Sequence, residues 1–187
     1  MRHTLIDTKG AGPVVDRRTT LRWFAAAMAA APLAACGESP GGFKWTPPEP
    51  LTGPGYGGDP DLLEPSVPWP LTLTRAELAA LTAMVDLILP ADDNALAASA
   101  VGVPAFLDEW VSAPYPAQQR DRALIVPGLA WLDSESMARN NGAVFASAGD
   151  AAQRAILDDI AWRDRVKPGA EQAAEFFARV RSLTMGA

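Results

Sequence analysis

Two residue types that usually carry chemistry are almost absent from this chain. His3 is its only histidine and Cys36 its only cysteine. Without a second thiol or a downstream histidine there is no Cys–His or Ser–His nucleophile pair, no ordinary zinc set and no c-type haem attachment. Carboxylates remain. Asp92-Asp93 follow Pro90, with Asp86 near, but they lack the Asp-x-Asp-x-Asp spacing of a calcium loop and read as a solvated turn. Asp108-Glu109 and Asp158-Asp159 read as solvated helix faces, since nothing places either pair in a pocket. Gly53-Pro54-Gly55-Tyr56-Gly57-Gly58 matches G-x-G-x-x-G by letter. A dinucleotide fingerprint needs a strand before it and a helix after it, and here Pro-rich chain lies on both sides. No catalytic, cofactor-binding or metal-binding residue is assigned.

The remaining chemistry is at Cys36. Leu33-Ala34-Ala35-Cys36 closes the alanine-rich apolar run Trp23–Ala35, which follows Arg17-Arg18. Positive charge, an apolar run too short to span a bilayer and small residues before a cysteine describe an export signal ending in a lipid-attachment site. The arginine pair selects the twin-arginine route, which carries proteins already folded. Thr20 stands where such signals usually carry Phe, and Asp16 where Ser or Thr is usual, so an ordinary secretory signal or a single membrane anchor stays open. Residues 1–35 are therefore assigned as signal, Arg17 and Arg18 as its export determinant, and Cys36 as the lipid anchor of a periplasmic protein. Without the signal, eleven Lys and Arg face twenty Asp and Glu, a net charge of −9. Such a chain repels nucleic acid and anionic lipid, so membrane attachment falls to Cys36.

Residues 36–72 form a tether or extended arm. Nine Pro and seven Gly between 37 and 72 exclude a regular helix or sheet. The aromatics Phe43, Trp45, Tyr56 and Trp69 are scattered through it. Trp45, Tyr56 and Trp69 are assigned as partner-gripping rings, with chance placement as the alternative.

From 73 to 187 the pattern is helical. Thr74-Arg75-Ala76-Glu77 spells a capping box, and Leu78, Leu81, Val85, Ile88 and Leu89 follow on one face up to Pro90. Pro104 opens a second helix over 105–112, carrying Phe106, Leu107, Trp110 and Val111. A third spans 117–140, bent at Pro127, with Leu124, Leu129, Trp131, Leu132 and Met137 inward. A fourth covers 151–163, and a fifth begins at Pro168 and buries Phe176, Phe177, Val180 and Leu183. Trp110, Trp131 and Trp162 are expected in the core. No segment alternates like a strand, so the prediction is a small all-α bundle of about five short helices.

Several stretches carry a resemblance. They are Leu87-Ile88-Leu89-Pro90-Ala91-Asp92-Asp93, the run from Ala100 to Asp108, Gly128-Leu129-Ala130-Trp131-Leu132-Asp133, and the run from Phe176 to Thr184. In order and spacing, residues 72–187 resemble the gluconate 2-dehydrogenase subunit 3 family, the small subunits of exported FAD-dependent sugar and polyol dehydrogenases. The resemblance implies a non-catalytic subunit with no cofactor of its own. Its expected partner is an FAD-containing flavoprotein of the glucose-methanol-choline type, which lacks an export signal and rides out with it. A multihaem cytochrome c subunit would pass electrons onward. Family members continue past the Leu-Thr segment with aromatic- and glycine-rich sequence, whereas this chain stops at Ala187. That departure is read as a C-terminal truncation or a lost piece of partner surface. Two readings of other classes stay beside this one: a stand-alone periplasmic lipoprotein that binds a ligand or acts as a scaffold, and an enzyme working with carboxylates alone.

Overall fold

The computed structural model describes residues 42–53 and 66–187, all within the compact unit Cys36–Ala187. Among them five α-helices form and no strand: α1 Arg75–Ile88, α2 Val103–Ser112, α3 Pro116–Arg139, α4 Asp150–Ile160 and α5 Glu171–Thr184. Short 3₁₀ turns at Ala98–Val101 and Phe145–Ser147 lead into α2 and α4. The predicted all-α bundle is the fold observed.

The helix ends follow from local chemistry. The Thr74 hydroxyl accepts from the Glu77 N–H at 3.2 Å, and the Glu77 carboxylate accepts from the Thr74 N–H at 2.7 Å. This reciprocal pair satisfies donors that a helix start leaves open. At the other end of α1, Pro90 stops the pattern after Leu89. Gly102 has φ 90°, a left-handed conformation costly for any residue with a Cβ, and it turns the chain from the first 3₁₀ segment into α2. α3 runs through Pro127 as one element of 24 residues. A proline there removes one ladder hydrogen bond, and its buried ring fills space at the centre of the bundle.

α3 is the central helix. Ile125, Leu129 and Leu132 on it meet Leu81, Met84 and Val85 of α1, Leu107 and Val111 of α2, Ile156 and Ile160 of α4, and Phe176 and Val180 of α5 in one buried cluster. α5 reaches α3 at Gly128, where an added methyl would overlap the Phe176 ring. Asp121 ties the outer turns together. Its carboxylate accepts from Arg179 Nε and Nη2 at 2.7 and 2.6 Å and from Trp110 Nε1 at 2.7 Å. The two-pronged contact holds Arg179 charged, keeping its pKa above the ordinary arginine value.

Four details differ from the pattern in the sequence. Met137 is 42 % exposed, although its neighbour Ser136 on α3 is fully buried. α4 ends at Ile160 and α5 starts at Glu171, so residues 161–170 form a turn-rich connection rather than helix. Trp162 stands in that connection, 58 % exposed and outside the core, while Trp131 is buried and Trp110 half-buried. Asp108 is 5 % exposed and not on a solvated face.

The burial of Asp108 is explained by the chain that crosses it. Residues 42–53 and 66–73 form no helix or strand, so the N–H groups of Leu51, Thr72 and Leu73 have no ladder partner. Side chains of α2 and of the start of α3 accept from them instead. Leu51 N–H donates to Gln119 Oε1 at 2.7 Å, Thr72 N–H to Ser112 Oγ at 2.9 Å, and Leu73 N–H to Asp108 Oδ1 at 3.2 Å. Arg122 Nη1 donates to Thr72 Oγ1 from beneath. Burial there lowers the Arg122 pKa, partly opposed by the charges of Glu77 and Asp108.

Candidate partner-binding surface

The residues assigned to export, lipid attachment and one of the partner contacts (Arg17, Arg18, Cys36 and Tyr56) lie outside the described residues. So does the G-x-G-x-x-G stretch beyond Gly53. The other two assigned rings are placed, and both are used within the chain. Trp45 is 2 % exposed, stacked on Trp131 with centroids 6.2 Å apart and met edge-on by Phe43 at 5.7 Å. Trp69 is buried, with Tyr115 edge-on at 5.7 Å. The structure puts these indoles inside the molecule, where they fasten the arm to the helices. A ring buried in its own chain offers no free face to a second protein.

The carboxylates also have local occupations. Asp86 accepts from the Ser99 N–H and hydroxyl at 2.8 and 2.7 Å, holding the first 3₁₀ turn on α1. Asp92 accepts from the Asn94 and Ala95 N–H groups, an Asx turn. Asp159 pairs with Arg139 at 2.7 Å and Lys167 at 3.8 Å, linking α3, α4 and the connection. Among the described residues no group of three or more His, Cys, Asp or Glu could hold a metal ion, and no helix is long and apolar enough to cross a membrane.

One surface open to a second molecule is a groove where α1, α4 and α5 converge. Its floor is Leu87 and Ile88 from the end of α1, Leu157 from α4, Ala161 just after it, and Phe177 from α5. Trp162 stands at its wall, and Arg154, Arg181 and Asp158 rim it, around a space of about 250 Å³. That volume lies below the roughly 300–1,000 Å³ of ordinary small-molecule pockets. It suits one inserted side chain better than a bound cofactor. The groove is lined by one carboxylate and two guanidinium groups beside its apolar side chains.

The cations differ in how committed they are. Arg154 Nε donates to Asp150 at 2.8 Å, and this contact raises the Arg154 pKa above the ordinary arginine value. Arg165 lies over the Trp162 ring at 5.9 Å from its centroid. Arg163 and Arg181 make no ion pair among the described residues. Grouping Trp162 with the core indoles Trp110 and Trp131 hides the groove in the sequence. The charges after it give no clear signal, since Arg163-Asp164-Arg165 has the same pattern as Arg120-Asp121-Arg122 inside α3.

The family model described as Gluconate 2-dehydrogenase subunit 3 matches residues 75–187, more than half of the chain. The match begins at the first residue of α1 and takes in all five helices. No curated protein and no solved structure matches the chain.

Proposed function

The chain belongs to the gluconate 2-dehydrogenase subunit 3 family, and on that premise we propose that it is the non-catalytic small subunit of a membrane-associated, FAD-dependent sugar or polyol dehydrogenase. In this reading the flavoprotein subunit holds FAD and oxidises the substrate, and a cytochrome c subunit takes the electrons. This chain carries the folded flavoprotein out through the twin-arginine route and stabilises it. The family match over the whole helical bundle is the observation that carries the reading. The chemistry of the chain is consistent with it: no histidine follows His3, and the buried Asp108 and half-buried Asp86 are occupied as structural acceptors.

The arm sets how far a lipid on Cys36 could stand from the bundle. Trp45 belongs to the core, so the core closes only nine residues after Cys36. Nine extended residues reach at most roughly 30 Å. A lipid on Cys36 would therefore hold the bundle close to the bilayer with its Trp45 side inward. Stable anchoring needs more than one acyl chain, as expected for a processed and diacylated or triacylated N-terminal cysteine.

The test is localisation. Arg17→Lys with Arg18→Lys should leave both this precursor and the flavoprotein in the cytoplasm, and substrate-dependent dye reduction should vanish from the periplasmic membrane fraction. Normal export of both proteins by the double variant would reject the carrier role.

A further inference from the structure

The groove between α1, α4 and α5 has three properties that rarely coincide by accident. Trp162 is the one aromatic among the large exposed hydrophobics of the described residues. Its neighbours Leu87, Ile88, Leu157 and Phe177 form a continuous apolar floor. The same rim carries Arg154, Arg181 and Asp158, and Arg181 has no ion-pair partner among the described residues. On a chain of net charge −9 beyond its signal, two guanidinium groups to one carboxylate around an apolar slot are a local reversal of sign. A well-packed aromatic anchor bordered by arginine is the composition of an interface centre.

We propose that this groove is the docking site for the flavoprotein subunit and that it receives an acidic segment in which an apolar side chain is flanked by a carboxylate. The apolar side chain enters the slot against Trp162, Leu157 and Phe177. The carboxylate pairs with Arg181, whose planar guanidinium suits two-pronged contact. Charge complementarity selects this occupant. A second copy of the chain would bring a net negative body but also the same arginines face to face, and anionic lipid would have to approach an acidic molecule. α5 extends the surface: Phe177, Arg181 and Met185 recur at four-residue spacing, and Met185 is 65 % exposed. The partner's identity rests on the proposed function; the location of the surface rests on the groove alone.

The experiment uses the full chain co-expressed with the flavoprotein subunit, purified through a tag on this chain, with affinity measured on the mature proteins. Trp162→Ala should weaken flavoprotein binding by about 30-fold, which is about 2 kcal/mol at 1.4 kcal/mol per tenfold. Arg181→Glu should weaken it by about tenfold or more, and Arg181→Lys by less. Trp162→Phe should recover part of the loss. Helix content and unfolding midpoint should not change, because Trp162 lies outside the core and Arg181 gives up no ion pair. Wild-type affinity in both Trp162→Ala and Arg181→Glu would overturn the docking site while leaving the accessory-subunit reading intact. A wild-type chain that binds no flavoprotein would overturn that reading and the occupant named here together. Two other losses would also overturn it, if flavoprotein binding stayed normal: loss of self-association in Trp162→Ala, or loss of binding to anionic vesicles. They would reassign the groove to a second copy or to the membrane surface.

Discussion

Replacing Trp45 with Ala separates an arm that is part of the fold from one that is only a tether. The indole is 2 % exposed and lies 30 residues before the first helical residue of the bundle, stacked on Trp131 at 6.2 Å with an interplanar angle of 19°. Truncating a buried Trp or Phe to Ala costs about 3–5 kcal/mol, from lost transfer free energy and the cavity left behind. Loss of the ring contacts to Trp131 and Phe43 places this site in the upper part of that range. Against a total stability of about 5–15 kcal/mol the loss is large. At about 2–4 °C per kcal/mol for a chain of this size, the midpoint should fall by about 10 °C or more. The assay is urea and thermal unfolding of residues 37–187 followed by far-UV circular dichroism, with Thr46→Ala, exposed beside it, as the comparison. Trp45→Phe should fall between the two. If Trp45→Ala unfolds within about 0.5 kcal/mol of the wild type, as an exposed tether residue would, then the arm is not part of the core and the reasoning fails.

Three further outcomes follow from the geometry. Gly128→Ala should destabilise by about 1–3 kcal/mol in urea unfolding, because the new methyl meets Phe176, whereas an unobstructed helix would gain about 1 kcal/mol from the same change. Asp121→Asn removes the charge and leaves one acceptor oxygen for the three donors that Arg179 and Trp110 now aim at the carboxylate. It should cost about 1–2 kcal/mol after allowance for the partial exposure of Arg179, read as a lowered midpoint with helix content kept. Cys36→Ser should release the exported chain from the membrane fraction, and an intact mass on the wild type should show an acylated Cys36; an unmodified thiol there would reject the lipid anchor.

Much of the helical bundle was legible because its punctuation is local. The Thr74–Glu77 box, Pro90 and Pro104 act within a few residues of themselves, and α1 and α2 begin and end about where those residues place them. The misplaced ends of α4 and α5 lie around 161–170, where Ala161-Trp162-Arg163 is compatible with helix and only packing decides. Burial of the arm was not legible. A Pro- and Gly-rich stretch has no period to display a buried face, and its backbone donors are met by Gln119, Ser112 and Asp108 from 35 to 68 residues away. The same non-local pairing hid the role of Asp108, which a helical wheel sees only as half of an acidic pair. The groove escaped notice for a related reason: its walls come from the ends of three helices, and no single segment contains it.

Native mass spectrometry of the complex, extracted from membranes through a tag on this chain, tests the central claim most directly. The account predicts an assembly in which the chain, processed and acylated at Cys36, is bound to a larger polypeptide that carries FAD and oxidises a sugar or polyol. A chain recovered alone and colourless, with substrate-oxidising flavoprotein remaining behind in every fraction, would contradict it.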